Sequence, residues 1–213
     1  MSKNKLNIGE ISKPRFEFRT FGRDFSESSK LMAELSIHVP EKVRHRQSDE
    51  IYIVSRTNNI NNTKIRKGKM DIKTYIQSVQ GLEQWEPIMK TEFPISSKIL
   101  KNNIFPALKT EIPELVKDEY SIYEFLEIIK TNPDLKAVRV HKERFGYMVN
   151  DTICEVANVI INGAKMVTIN SESTEIKDIK KTMNDVKLTN IENINYLQVI
   201  KRIIGMINKP LAN

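Results

Sequence analysis

Alternating apolar and polar residues predict a strand in the first part of the chain. The run RFEFRTF at residues 15–21 has a period of two, which places Phe16 and Phe18 on one face. Glu17 and Arg19 fall on the opposite face. This strand therefore has one apolar and one charged side.

The same pattern predicts further strands along the chain. We expect them at residues 51–56, 63–66, 69–73, around 82–87, 136–143, 146–149, 152–161 and 166–172. An Asn-rich turn at residues 58–62 joins the first two of these into a hairpin. Asn162-Gly163 predicts a second hairpin, because both positions of a type I′ turn need positive φ.

Apolar residues at helical spacing predict helices between and after the strands. One helix is expected from about Ser26, with Asp24 or Ser26 as its cap and the apolar stripe Leu31, Met32, Leu35 and Ile37. Others are expected within residues 95–132, at about 173–186 and at about 195–207. Seven or eight antiparallel strands with short connections tend to curl and close. The sequence thus predicts an α+β fold and favours a barrel.

The composition indicates the cellular compartment and the chemical class of the partners. The 213 residues include 34 Lys and Arg against 27 Asp and Glu, and the net charge of +7 favours anionic partners such as phosphates, nucleic acid or acidic lipid. Cys154 is the only cysteine, so a reducing, intracellular setting fits. The N-terminal MSKNKLNIGE has no apolar run behind its lysines, and no stretch approaches the ~20 apolar residues of a membrane span. We expect a cytoplasmic protein that has no membrane partner.

Cations placed two residues apart within strands are the most informative feature. Lys64 and Arg66 must share a strand face, and Lys142 and Arg144 repeat the pattern. The residues Lys69, Asp71 and Lys73 also share a face. If the sheet closes with these faces inward, the cations line one cavity and require a polyanion or matching carboxylates.

Carboxylates are expected opposite these cations. A two-residue turn at Asn162-Gly163 places Glu155 opposite Asn170, so Glu155 and Glu172 share a face. Glu17 on the first strand is a third candidate. An acidic cluster that faces a basic cluster suits a divalent metal held against phosphate oxygens.

The order of these motifs resembles the CYTH or triphosphate tunnel metalloenzyme superfamily, which includes class IV adenylate cyclases, thiamine triphosphatases, inorganic triphosphatases and some RNA triphosphatases. The resemblance covers most of the chain. It rests on FEFR at 16–19, DEIY at 49–52, KIR at 64–66, Lys73, KER at 142–144, Tyr147, Glu155, the hairpin, the strand to Glu172 and NYL at 195–197.

The resemblance implies a single domain over residues 1–213. Its fold would be an eight-stranded, closed, tunnel-like antiparallel barrel with helices packed outside, and residues 173–213 would form a helical segment on the barrel. Basic residues would grip the phosphates of a bound triphosphate: Arg19, Lys64, Arg66, Lys73, Lys142 and Arg144, with Lys90 as a weaker addition. The metal, Mg²⁺ or Mn²⁺, would be held by Glu17, Glu155 and Glu172. Glu17, Lys64 and Arg66 would carry catalysis.

Two departures from the family pattern bear on catalysis. Arg15 stands where the hallmark Glu-x-Glu-x-Lys has its first Glu, and Thr168 and Asn170 stand where the last strand usually has a Glu-x-Glu pair. Fewer carboxylates weaken the binding of a hard divalent cation.

The leading hypothesis is a metal-dependent phosphohydrolase that acts on a nucleoside triphosphate or an inorganic tri- or polyphosphate. The alternatives are a non-catalytic nucleotide or polyphosphate binding module, an adenylate cyclase of the same fold, and a less favoured nucleic-acid binder. A homodimer is also open.

Overall fold

Eight antiparallel strands close into a barrel in the computed structural model, which describes residues 14–211. The barrel strands are β1 (Arg15–Gly22), β2 (His45–Ser55), β3 (Asn61–Arg66), β4 (Lys69–Val79), β5 (Leu82–Glu92), β8 (Leu135–Val149), β9 (Thr152–Ile161) and β10 (Ala164–Ser173). A separate short pair consists of β6 (Ile95–Ser96) and β7 (Glu119–Tyr120). The order around the barrel is β1-β10-β9-β8-β2-β3-β4-β5, and β1 pairs with both β10 and β5 to close it.

The hairpin register follows from two-residue turns. In four of them both residues have positive φ: Lys67-Gly68, Gln80-Gly81, Asn150-Asp151 and Asn162-Gly163. Such turns match the right-handed twist of the strands that they join. The pairing predicted across the last turn is confirmed, with Glu155 opposite Asn170.

The helices lie between and after the strands. They are α1 (Ser26–Leu35), α2 (Glu41–Arg44), α3 (Ser97–Ile99), α4 (Phe105–Leu108), α5 (Ile122–Thr131), α6 (Ile176–Asp185) and α7 (Tyr196–Ile203), with a π-helical segment at Leu100–Ile104 between α3 and α4. Helix α5 begins at a capping box in which Ser121 and Glu124 satisfy each other's backbone N–H groups.

Several predicted boundaries were wrong. Strand β2 begins at His45, six residues before the expected start, because its first part alternates polar residues and lacks an apolar signal. The two strands expected at 136–143 and 146–149 are one continuous β8. Ile37 lies beyond the end of α1 and is exposed, so it is not part of that helix's apolar stripe. The N-terminal ten residues, for which we expected no signal peptide, lie outside the described residues.

Two apolar clusters pack on the outside of the barrel. One joins the outward-facing Ile53 and Met70 to Phe105 and Phe125 of the middle helices. The other covers Phe18 with residues of α1 and α6, and its members are Phe18, Met32, Leu82, Val149, Cys154, Val156, Ile169, Ile179, Val186 and Leu188. The inner face of the strands is left free for polar groups.

A third cluster closes one end of the barrel from within. Tyr52, Val138 and Val159 share the inward face of their strands, and they pack with Leu197 and other residues of α7. The buried Lys201 ties α7 to the loop between β2 and β3, where its Nζ donates a hydrogen bond of 2.7 Å to the carbonyl of Asn58. The barrel interior is therefore covered at the end where β2 finishes.

The α+β class and the closed eight-stranded barrel predicted from the sequence are confirmed. In the range 14–211, no helix is long and apolar enough to cross a lipid bilayer.

We predict that Leu197→Ala destabilises the fold by about 2–4 kcal/mol, because a leucine that is 1% exposed leaves a cavity in the apolar end of the barrel. Urea unfolding followed by circular dichroism measures the change. The neighbouring Gln198→Ala, at a half-buried position of the same helix, is the control and should change stability by less than about 1 kcal/mol.

Candidate functional site

A cavity of about 350 Å³ lies inside the barrel, and most of its walls are charged. Eight cationic side chains line it: Arg19, Arg46, Lys64, Arg66, Lys73, Lys90, Lys142 and Arg144. Four carboxylates line it as well: Glu17, Asp71, Glu155 and Glu172. With the buried Glu50 behind this wall, the positive side chains exceed the negative ones by three. Such an excess in a confined space favours a polyanionic ligand.

Each of the nine site residues predicted from the sequence lies in this cavity. The six expected phosphate-binding cations come from β1, β3, β4 and β8, and the three expected carboxylates come from β1, β9 and β10. Closure of the barrel brings them together, because charged residues at alternate positions on neighbouring strands all point inward. Lys90, the weaker candidate on β5, is also part of the lining.

The cavity opens at the end opposite to α7. Exposure of the lining side chains rises from 4% for Lys142 to 35% for Arg66 and 42% for Lys90. Helix α2 borders the wall near β8, since a Cβ added at Gly146 would lie 2.6 Å from the carbonyl oxygen of Val43. A ligand would therefore enter between the more exposed cations and reach the buried ones with its far end.

Glu50 is the common partner of the cations on the deep wall. Its Oε1 accepts a 2.5 Å hydrogen bond from Arg144 Nη2, while its Oε2 lies 3.0 Å from Lys64 Nζ and 3.0 Å from Lys142 Nζ. Arg66 Nη1 is 3.8 Å from Oε1. Burial alone would raise the pKa of the Glu50 carboxyl, but the charges of Lys142 and Lys64 outweigh it and hold the pKa below the ordinary value.

Lys142 occupies the most enclosed position among these cations. Its Nζ lies 3.6 Å from the centroid of the Tyr196 ring and 2.7 Å from the hydroxyl of Tyr52. Burial holds the pKa of Lys142 well below its ordinary value, and the nearby charge of Lys64 lowers it further. Burial likewise lowers the pKa of Lys64 to about 8, although Glu50 acts to raise it.

On the facing wall, Glu17 and Arg19 form a close ion pair. Arg19 Nε lies 2.5 Å from Glu17 Oε1, and Arg19 Nη1 donates to Thr168 Oγ1 at 3.3 Å. Burial works against the charged Glu17, yet Arg19 and Lys73 keep the pKa of Glu17 below its usual value. Glu172 sits directly opposite Glu17 on the neighbouring strand. Burial, followed by the charge of Glu17, raises the pKa of Glu172.

The oxygen atoms on this wall determine whether the expected metal ion could be held there. Within residues 14–211, no group of three or more His, Cys, Asp or Glu side chains is close enough to hold a metal ion. Glu155 is engaged by Arg46, whose Nη2 lies 3.1 Å from its carboxylate. Next to Glu172, however, the buried Oδ1 of Asn170 has no hydrogen-bond partner, while its Nδ2 donates to Glu172. Glu17, Glu172 and this amide oxygen are hard donors of the kind that Mg²⁺ and Mn²⁺ take.

Sequence reasoning missed several cavity residues. Glu50 and Tyr52 were noticed only as part of an acidic-aromatic strand, and their role as partners of Lys142 depends on the pairing of β2 with β8. Arg46 was missed because β2 was expected to begin later. Tyr196 comes from α7, so only the tertiary packing of that helix brings it into the barrel.

Comparison with known proteins supports the architecture. No protein-family model matches the sequence, and no curated protein sequence matches it. Among solved structures, a candidate adenylate cyclase of Bacillus halodurans matches with a TM-score of 0.50 and 11% identity, over 86% of this chain and 95% of that chain.

Two further solved structures match more weakly. A candidate adenylyl cyclase of Hippeastrum, described as having a dominant triphosphatase activity, has a TM-score of 0.47 and 11% identity over 93% of this chain and 99% of its own. The Mimivirus capping-enzyme triphosphatase has a TM-score of 0.43 and 7% identity over 84% and 90%.

These observations define the class of the protein. It is a closed eight-stranded antiparallel barrel with a predominantly cationic interior. The resemblance noted from the sequence is confirmed at the level of the fold, which the structure of Bacillus halodurans shares.

We predict that Glu172→Gln raises the thermal midpoint in metal-free buffer at pH 7. Because the pKa of Glu172 is raised, its charged form is disfavoured in the folded state. The wild-type fold therefore loses stability as pH rises and Glu172 becomes charged, whereas the neutral Gln does not have this cost. The gain, on the order of a few degrees, should disappear below the ordinary value of 4.5, where the carboxyl is neutral in both states. Scanning calorimetry at several pH values measures it. Glu143→Gln, on the outer face of β8, is the control and should give no gain at pH 7.

Proposed function

We propose that the protein is a divergent member of the triphosphate tunnel superfamily and hydrolyses a triphosphate-containing substrate. The substrate class is a nucleoside triphosphate or an inorganic tri- or polyphosphate. The observation that carries the proposal is the convergence of eight cations on one cavity that is open at one end.

The arrangement of the cations supports recognition of a chain of phosphates. Lys64 and Arg66 on one wall and Lys73 on the next give donors from neighbouring strands, so that successive phosphate groups can each meet a cation. Arg144 and Lys142 would bind the end of the chain that reaches the deep wall. Arg19 would bind it from the opposite side. Preorganised cations of this kind stabilise the charge that develops on phosphoryl transfer.

Metal dependence is part of the proposal. Glu17, Glu155 and Glu172 would hold Mg²⁺ or Mn²⁺, with the free amide oxygen of Asn170 as an additional donor. A bound divalent cation would supply Lewis-acid polarisation of phosphate oxygens. Glu17 takes part in catalysis in this proposal, and Lys64 and Arg66 neutralise charge on the transferred phosphoryl group.

A second candidate function is a non-catalytic receptor for the same ligand. Arg15, Thr168 and Asn170 replace carboxylates of the family pattern, and Glu17 is already paired with Arg19 at 2.5 Å. The cationic half of the cavity would then sense a nucleotide or a polyphosphate without turnover.

A cyclase of the same fold is a third option, which formation of a cyclic nucleotide from ATP would identify. A cytoplasmic location and homodimer formation remain proposals from the sequence.

We predict that the purified protein releases phosphate from triphosphate or ATP with Mg²⁺ or Mn²⁺. Lys64→Ala and Glu17→Ala should each lower the rate by about 100-fold or more, because each removes a group that acts on the reacting phosphate. A colorimetric phosphate assay measures the release. Lys136→Ala, an exposed lysine on β8, and Glu143→Ala, on its outer face, should retain the wild-type rate.

The receptor alternative makes a different prediction. Triphosphate without metal should raise the thermal midpoint, since a ligand at 100 times its Kd stabilises the folded state by about 2.7 kcal/mol. If this stabilisation is found and is lost in Lys64→Ala, while neither metal supports turnover, the protein is a receptor and the hydrolase proposal is wrong. If triphosphate neither stabilises the protein nor is hydrolysed, both candidate functions are wrong.

A further inference from the structure

The carboxylate of Glu50 is buried and contacts four cations, although nothing in the hydrolase proposal requires it to touch a ligand. Its side chain is 0% exposed, so it lies behind the cavity wall. The two oxygens divide their partners by type: Oε2 lies 3.0 Å from both lysine nitrogens, and Oε1 faces Arg144 and Arg66. One carboxylate therefore lies within 4.0 Å of four cationic groups.

The four cations differ in how they respond to this shortage of negative charge. An arginine keeps its proton at any physiological pH, whereas a buried lysine gives it up readily. Lys64 and Lys142 also share one oxygen of Glu50, so each raises the cost of charging the other. If Glu50 loses its negative charge, it is consequently the two lysines, and not the arginines, that lose protons.

No other carboxylate is within ion-pair distance of these two nitrogens among the described residues. The charged and titratable groups that share the cavity with the lysine pair are Glu17 and Arg19 from β1, Arg46 and Tyr52 from β2, Arg66 from β3, Asp71 and Lys73 from β4, Lys90 from β5, Arg144 from β8, Glu155 from β9, Glu172 from β10 and Tyr196 from α7. Glu17 is held by Arg19, and Asp71 accepts a hydrogen bond from Arg66 at 3.0 Å. Within residues 14–211, Glu50 is thus the one carboxylate that forms ion pairs with Lys64 and Lys142.

We propose that Glu50 is a positioning residue that keeps Lys64 and Lys142 protonated and aimed into the cavity, so that removal of its charge makes anion binding strongly dependent on pH. The inference rests on the proposed function only in the choice of triphosphate as the probe. A bound polyanion stabilises the protonated lysines, so binding takes up protons wherever the empty cavity holds a neutral lysine. Both lysines have a lowered pKa, which agrees with this coupling.

The first test compares wild type, Glu50→Gln and Glu143→Gln by isothermal titration with triphosphate, without metal, from pH 5.5 to 9. At the acidic end Glu50→Gln should bind at least as tightly as wild type, because the lysines are protonated and the wall has lost a negative charge. At pH 8 it should bind about tenfold more weakly or worse, the factor that corresponds to one pKa unit. The ligand's own titration is common to all three proteins and cancels.

Proton uptake gives a second readout from the same titrations. Measured in two buffers of different ionisation enthalpy, Glu50→Gln should take up more protons than wild type near pH 7, and Glu143→Gln should match wild type. An equal loss of affinity at every pH, with unchanged proton uptake, would mean that Glu50 is merely structural and would overturn the proposal. Glu50→Asp keeps the charge and should restore most of the wild-type pH profile.

A third measurement needs no ligand. The ¹³Cε signals of labelled lysines report the protonation of each side chain, and Lys64→Arg and Lys142→Arg assign the two signals. In wild type both lysines should titrate below the surface lysines, and in Glu50→Gln both should titrate at still lower pH. Unchanged titration of both lysines in Glu50→Gln would refute the proposal, and Glu50→Ala gives the same test if Glu50→Gln fails to fold. Failure to release phosphate with metal refutes the hydrolase alone and leaves these titrations unaffected.

Discussion

The carboxylate of Glu50 lies among four cations in the interior of the barrel, and this imbalance is the constraint on which the rest of the structure depends. Burying like charges costs free energy, which opposite charge, a ligand or the loss of a lysine proton can offset. The barrel meets part of that cost with Glu50, Glu17, Asp71 and Glu155, each of which contacts at least one cation. With Glu172 counted as well, an excess of three positive charges remains, and such an excess favours an anionic ligand.

The apolar parts of the fold allow this interior to exist. Because the inner strand faces carry charge, the hydrophobic core is displaced to the outside of the barrel, where the middle helices and α6 cover Ile53, Met70 and Phe18. At one end α7 covers the interior with apolar side chains, and the more exposed cations Arg66 and Lys90 lie toward the other end. The tyrosines at this seal, Tyr52 and Tyr196, surround Lys142 with ring faces, which favour a cation.

The sequence predicted those features of the fold that depend on local periodicity. The period of two identified the charged strand faces, and the Asn162-Gly163 turn set the register that aligns Glu155 with Asn170. Features that depend on closure could not be predicted residue by residue. The contact between Glu50 and Lys142 joins strands that are far apart in sequence, and Tyr196 enters the barrel only because α7 packs across its end. The start of β2 was missed because its first half is polar on both faces.

The two halves of the cavity differ in how completely they are formed, and this difference separates binding from catalysis. Seven of the eight lining cations lie within 4.0 Å of a carboxylate oxygen, so they are already positioned and a polyphosphate would need little reorganisation to bind. The carboxylate wall is less complete: Glu17 is occupied by Arg19, Glu155 is occupied by Arg46, and Glu172 is paired with an amide. In the proposed function, a divalent cation would have to compete with Arg19 and Arg46 for these carboxylates. Anion binding is therefore the part of the proposed function that needs little rearrangement of the cavity, whereas turnover would require a metal to compete with Arg19 for the carboxylate of Glu17.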